Sequence, residues 1–132
     1  THLRAAGVEL ATTQPEYSLV KLDPMRDGTF DHCTAMGMVP LAWSPLAGGT
    51  LASGAGVRQQ LVDVVDRIAA REAVERSHVA LAFVLAHPTA PIAIIGTQRP
   101  ERITDSLRAL TVTLDRADVY ELIQASDGTP LP

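Results

Sequence analysis

Residues 91–103 read PIAIIGTQRPERI, and the architecture of the chain turns on how this stretch is parsed. Ile92, Ala93, Ile94 and Ile95 form a short apolar run rich in β-branched residues, bounded by Pro91 and Gly96, which predicts a strand. A run without polar alternation suits a parallel strand covered on both faces. Pro100 fits the first turn of a helix, where its missing N–H costs nothing. Ile103, Leu107 and Leu110 then recur at helical spacing. The parse is strand, tight turn, helix. N–H groups left unpaired at the helix start, with the helix dipole behind them, favour an anion beyond the end of the strand. Arg99 and Arg102 add charge and forked hydrogen bonds there.

Upstream of that unit the same alternation repeats. THLRAAG reads as the end of a helix closed by Gly7, and VELATTQ as a strand. PEYSLVKLDPMRDG is a loop with turn signals at Asp23-Pro24 and Asp27-Gly28. TFDHCTAMG predicts a short helix capped by Thr29 and stopped by Gly37. MVPLAW is a second strand, interrupted by Pro40. SPLAGGTLASGAG is a small-residue loop long enough to suggest function. From Val57 to about Ala73, Leu61, Val64, Val65, Ile68 and Ala69 mark one helix face, with Asp63, Asp66, Arg67 and Arg71 on a wet side paired at i,i+4. Ser77 is the expected cap of HVALAFVLAH, a helix apolar nearly all round, ended by Pro88. Asp115 and Asp118 resemble a capping arrangement for a last helix with Val119, Leu122 and Ile123 inward, and SDGTPLP is a tail.

Strands alternating with helices predict a parallel α/β fold. Three strands fall short of the eight, over about 250 residues, that close a parallel barrel. A chain that opens on the tail of a helix reads as part of a larger whole. Alone, it is expected to expose strand edges near Leu10 and Ile94 and to associate.

Composition narrows the function classes. The chain has 132 residues, of which 46% are hydrophobic and 4% aromatic, so its core is aliphatic. A net charge of −4 gives no nucleic-acid footprint. No apolar run reaches the roughly 18 residues of a membrane span. A single cysteine, Cys33, excludes an internal disulfide and points to a reducing, cytoplasmic setting. Cys33 itself reads as a small buried apolar residue, and His2, His32, His78 and His87 show no metal-ligand spacing.

TTQPEYSLV, GMVPLAWSPLAGG, ALAFVLAHP and IIGTQRPERI, in this order and spacing, resemble the C-terminal half of the aldo-keto reductases. These are (β/α)8-barrel oxidoreductases that use NADPH. The combination of AWSPL with a distant GTxxPERI is specific, whereas either alone is weak. WSPLAGG and the DGTP tail are most similar to the bacterial predicted-oxidoreductase branch.

The resemblance implies roles. Gln14 would hold the nicotinamide carboxamide and Trp43 would stack on the nicotinamide ring, with Tyr17 packing beside it. Ser44 and Leu46 would contact the pyrophosphate. Gly96, Thr97 and Gln98 would grip the adenosine 2′-phosphate with Arg102, Gly96 standing where some branches carry lysine. Asp105 and Ser106 take the places of Glu or Gln and then Asn at the adenine. The chemistry suits these roles. An amide offers a donor and an acceptor, indole a flat face, and arginine a fixed cation.

Taken singly, the same residues have plainer readings: Gln14 as a satisfied strand-end amide, Trp43 as core, Ser44-Pro45 as a turn, Arg102 as a solvated arginine. The family tetrad of Asp, Tyr, Lys and His belongs to the N-terminal half, and Lys21, the sole lysine, lies in a loop. The resemblance therefore implies that the parent reaction is reduction of a small carbonyl substrate. This chain would supply the cofactor clamp, and the remaining half of the barrel the proton donor. A non-catalytic NADP(H)-binding or regulatory module on the same scaffold is the alternative.

Overall fold

A computed structural model describes residues 2–131. Thr1 of the first predicted helix and Pro132 of the tail lie outside the described residues.

The strands are β1 (Thr12–Thr13), β2 (Val39–Ala42) and β3 (Ile92–Ala93), all parallel, in the order β1-β2-β3. They are shorter than the apolar runs suggested. Pairing nevertheless continues past their ends: Glu16 bridges Trp43, and the Ile94 N–H donates to the Ala42 carbonyl at 2.9 Å. Pro40 is tolerated at the centre of the sheet for a geometric reason. Val39 sends its N–H to Ala11 on the β1 side, so the next residue faces β3. The β2–β3 register begins only at Leu41 opposite Ile92, and Pro40 forfeits no ladder bond there.

Around the sheet lie α1 (His2–Ala5), α2 (Thr29–Met36), α3 (Thr50–Ser53), α4 (Gln59–Glu72), α5 (Arg76–Leu85), α6 (Pro100–Ser106) and α7 (Arg116–Asp127). α4 buries Leu61, Val62, Val64, Val65, Ile68 and Ala69, the predicted stripe with Val62 added. α5 is buried continuously from His78 to Val84, as its all-round apolar sequence requires. These helices, with Phe30 of α2, Leu122 and Ile123 of α7 and the segment Tyr17–Leu22, enclose one aliphatic core against Ala42.

Several local expectations are corrected. Thr29 is the first residue of α2, not its cap. Gly28 takes the cap position at φ 89°, and the Asp27 carboxylate accepts the Thr29 N–H at 2.9 Å. Glu75, not Ser77, caps α5 through a capping box with His78. The charged side of α4 pairs mostly across elements, not at i,i+4. Arg67 bonds Glu121, Arg71 bonds Asp118, and Asp66 bonds Arg76, while only Asp63 pairs at that spacing, with Gln59. Gly37 does stop α2, at φ 66°, and Asp115 and Asp118 do form the capping box of α7.

Coverage within this chain is one-sided. Ile92 is 55% exposed, and Ile103, Leu107 and Leu110 are exposed too. Within the described residues helices cover one face of the sheet, and the other face of β3 is open. The apolar residues of α6 and the turn after it face outward.

Candidate functional site

Strand alternation sorts the sheet into two faces. Pro40 and Ala42 point into the core, while Val39, Leu41 and Trp43 take the other face. The β1–β2 register is the same at Thr13 opposite Pro40 and at Glu16 opposite Trp43. Gln14 therefore stands opposite Leu41 and on the open face. Gln14 and Trp43 thus share one face at the carboxyl ends of adjacent parallel strands. The Gln14 amide makes no hydrogen bond among the described residues, and the indole of Trp43 is 43% exposed. Within this chain neither residue fills its plainer role of satisfied amide or core aromatic.

Beyond Trp43 the backbone is strained. Ser44 has φ 52° and Ala47 φ 50°, followed by Gly48 at 67° and Gly49 at 96°. Left-handed conformations at non-glycine residues are costly and concentrate at functional loops. The Ser44 carbonyl accepts the Ala47 N–H at 2.9 Å, closing a tight turn. The Leu46 side chain packs against the core, and its carbonyl accepts the Gly49 and Leu51 N–H groups at 3.0 and 3.3 Å.

The third strand end carries the 96–106 segment. Gly96 and Gln98 are exposed and Thr97 half-buried. A Cβ at Gly96 would meet open space, so the backbone does not demand glycine there. Thr97 Oγ1 accepts the Arg99 N–H at 3.2 Å, and the N–H groups of Arg102 and Ile103 bond the Arg99 carbonyl at 3.1 Å. The first turn of α6 therefore retains few open donors, and the cationic character of the site rests on its arginines. Arg99 and Arg102 are exposed and pair with no carboxylate among the described residues. Asp105 and Ser106 are engaged within the chain. Asp105 Oδ2 lies 2.9 Å from His78 Nε2, and Ser106 Oγ donates to the Ile103 carbonyl at 2.6 Å.

Tyr17 is corrected from its expected place beside the nicotinamide. It is 1% exposed on the core side, edge-on to Phe30 at 4.8 Å and near Phe83 at 5.9 Å. Burial pushes its phenol far above the usual tyrosine range. Lys21 bonds Asp23 at 3.0 Å, which raises its ammonium above the ordinary value. Neither forms the tyrosine–lysine pair of a proton donor. Among the described residues no three metal-ligating side chains cluster, and no helix is long and apolar enough to cross a membrane.

Two clefts open elsewhere, one lined by Leu22, Arg26 and Asp127 and one by Arg4, Leu10 and Met36, and neither includes the strand-end residues. Sequence reading missed the cross-element ties, above all His78 to Asp105. The Glu75-x-x-His78 spacing was the signal for half of it, as a capping box.

The model of the Aldo/keto reductase family matches residues 2–127. The chain is 40% identical to a 6-dehydroglucose reductase of Novosphingobium aromaticivorans, over 96% of its own length and 42% of that protein. It is 36% identical to a 6-dehydroglucose reductase of Agrobacterium fabrum, over 94% of this chain and 41% of the relative. It is also 32% identical to oxidoreductase YdhF of Escherichia coli, over 93% of this chain and 41% of that one. A thermostable aldo-keto reductase solved with the inhibitor epalrestat superposes with a TM-score of 0.74 at 25% identity, covering 86% of this chain and 39% of that one. The chain thus spans about two fifths of the length of the curated relatives it matches. Its three parallel strands with covering helices match part of a (β/α)8 barrel, and the chain belongs to the aldo-keto reductase family, in its bacterial oxidoreductase branch.

Proposed function

We propose that this chain is the C-terminal, cofactor-holding part of an NADPH-dependent oxidoreductase that reduces aldehydes or ketones to alcohols. The observation that carries the reading is the convergence of three strand ends. Gln14 and Trp43 share the open face, and the arginine-bearing segment follows β3, the next strand over. Carboxyl ends of parallel strands are where barrel enzymes build their sites.

The donor set fits a dinucleotide phosphate. The free amide of Gln14 can donate to and accept from a carboxamide. The open indole of Trp43 offers a flat face. The strained Ser44–Leu46 turn presents backbone to a pyrophosphate. Arg102, without a carboxylate partner, supplies charge for the 2′-phosphate, and the Thr97 hydroxyl can still donate its hydrogen. NADPH, when bound, supplies the hydride; the protein orients it. The buried Tyr17 and the engaged Lys21 leave proton donation to residues of the rest of the barrel. The names of two relatives as 6-dehydroglucose reductases support a small carbonyl compound as substrate. A free, buried Cys33 suits a reducing cytoplasm.

The test is cofactor preference in the full-length protein. A charged hydrogen bond is worth roughly 1.5–3 kcal/mol, and the exposure of Arg102 favours the lower end. Arg102→Ala should weaken NADPH about tenfold at least while leaving NADH nearly unchanged. Equal loss of both cofactors, or no loss of either, in a fluorescence titration would overturn the assignment.

A further inference from the structure

His78 is completely buried near the start of α5. Its Nδ1 accepts the Glu75 N–H at 3.1 Å, completing the capping box. That bond decides the tautomer: with Nδ1 bare, the ring hydrogen sits on Nε2 and is donated to Asp105 Oδ2 at 2.9 Å. One buried ring therefore caps α5 and reaches across to α6.

The reach matters because of how α6 is held. α6 buries none of its residues, and Ile103 and the following Leu107 are exposed. Within this chain apolar packing, the usual anchor of a short helix, begins only at Ala109 in the turn beyond. Two polar ties fix the segment: His78 to Asp105, and Arg108 to the Ala73 carbonyl at 2.8 Å, with Arg108 also 3.8 Å from Asp105.

We propose that His78 is a positioning residue for cofactor binding: through Asp105 it fixes α6, and with it Arg99 and Arg102, against the end of β3. The inference rests on the NADPH reading above. It assigns a role in binding to a side chain that touches no ligand.

Two substitutions separate the two jobs of the ring. His78→Asn keeps an acceptor near the place of Nδ1 and so the cap, but is too short to reach Asp105. His78→Gln keeps a donor near the place of Nε2 and so the tie, but forfeits the cap. In the cofactor-free full-length protein, His78→Asn should speed hydrogen exchange of the 101–106 amides and weaken NADPH about tenfold, whereas His78→Gln should hold both within about twofold. Asp105→Ala cuts the same tie from its exposed end and must raise the same exchange. Unchanged exchange at 101–106 in His78→Asn or Asp105→Ala overturns the proposal, as does equal damage from Asn and Gln, which would make His78 merely a cap. Faster exchange in His78→Asn with full NADPH affinity, while Arg102→Ala still loses it, overturns the positioning role and spares the cofactor reading. Full affinity in Arg102→Ala as well sinks that reading, and this inference with it.

Discussion

Glu16 and Trp43 are partners in a parallel bridge beyond the formal ends of their strands. The Trp43 N–H donates to the Pro15 carbonyl at 3.1 Å, and the Trp43 carbonyl accepts the Tyr17 N–H at 3.3 Å. The backbone of Trp43 is thus fixed while its indole stays open.

That combination predicts a large effect on binding and a small one on stability. Aromatic pairing is worth about 0.5–1.5 kcal/mol beyond area. In the full-length protein Trp43→Ala should weaken NADPH about two- to tenfold, and Trp43→Phe should retain most of the affinity. Neither should move the unfolding midpoint much. Unchanged affinity in Trp43→Ala, by equilibrium titration, would remove Trp43 from the site.

Tyr17 should behave oppositely. Its ring fills the core against Phe30 and Phe83, so Tyr17→Ala should cost about 3–5 kcal/mol by cavity formation. Its hydroxyl has no hydrogen-bond partner among the described residues, so Tyr17→Phe should be close to neutral. A phenol raised by burial contributes stability that is fully present below the unfolded tyrosine value and is lost as pH rises toward the folded one. Alkaline unfolding should thus be milder in Tyr17→Phe. Tyrosinate absorbance that accounts for Tyr17 before unfolding would contradict its burial.

Asp118 gives the acid limb. It is nearly buried in the first turn of α7, accepts the Asp115 N–H at 3.1 Å, and takes both arms of Arg71 at 2.9 Å. The Arg71 hydrogen bonds are the main reason its carboxyl lies below the usual range. A depressed carboxylate contributes stability above its unfolded value and loses it as pH falls through the folded one. Loss of the cap alone should make Asp118→Ala about 0.5–2 kcal/mol less stable at neutral pH. Its stability should then fall less steeply in acid than that of the parent. Identical acid limbs in denaturant titrations would exclude this linkage.

Cys33 offers an independent check on the core. It is fully buried and unpaired, and desolvation raises its thiol. As the chain's sole cysteine, it should resist thiol reagents in the folded state and react on unfolding. Rapid labelling under native conditions would show that α2 opens locally.

The sequence determined whatever depends on local pattern. The period of α4, the Gly37 stop, the Asp115–Asp118 box and the strand-turn-helix at 91–103 follow from side chains spaced along one element. The placing of Gln14, Trp43 and the GTQRPERI segment at strand ends was also legible, because strand-end motifs keep their order when the chain folds. Tertiary structure decided what no local rule contains. Only the register shows that Gln14 and Trp43 share a face and that Pro40 loses no bond. Only packing turns Tyr17 inward, leaves Ile103 and Leu110 outside, and brings Asp118 to Arg71 and Asp105 to His78. The physical reason is range. Helix caps and apolar periods are energies between near neighbours in the chain, whereas a face of a sheet or a cross-element ion pair exists only once distant segments have met.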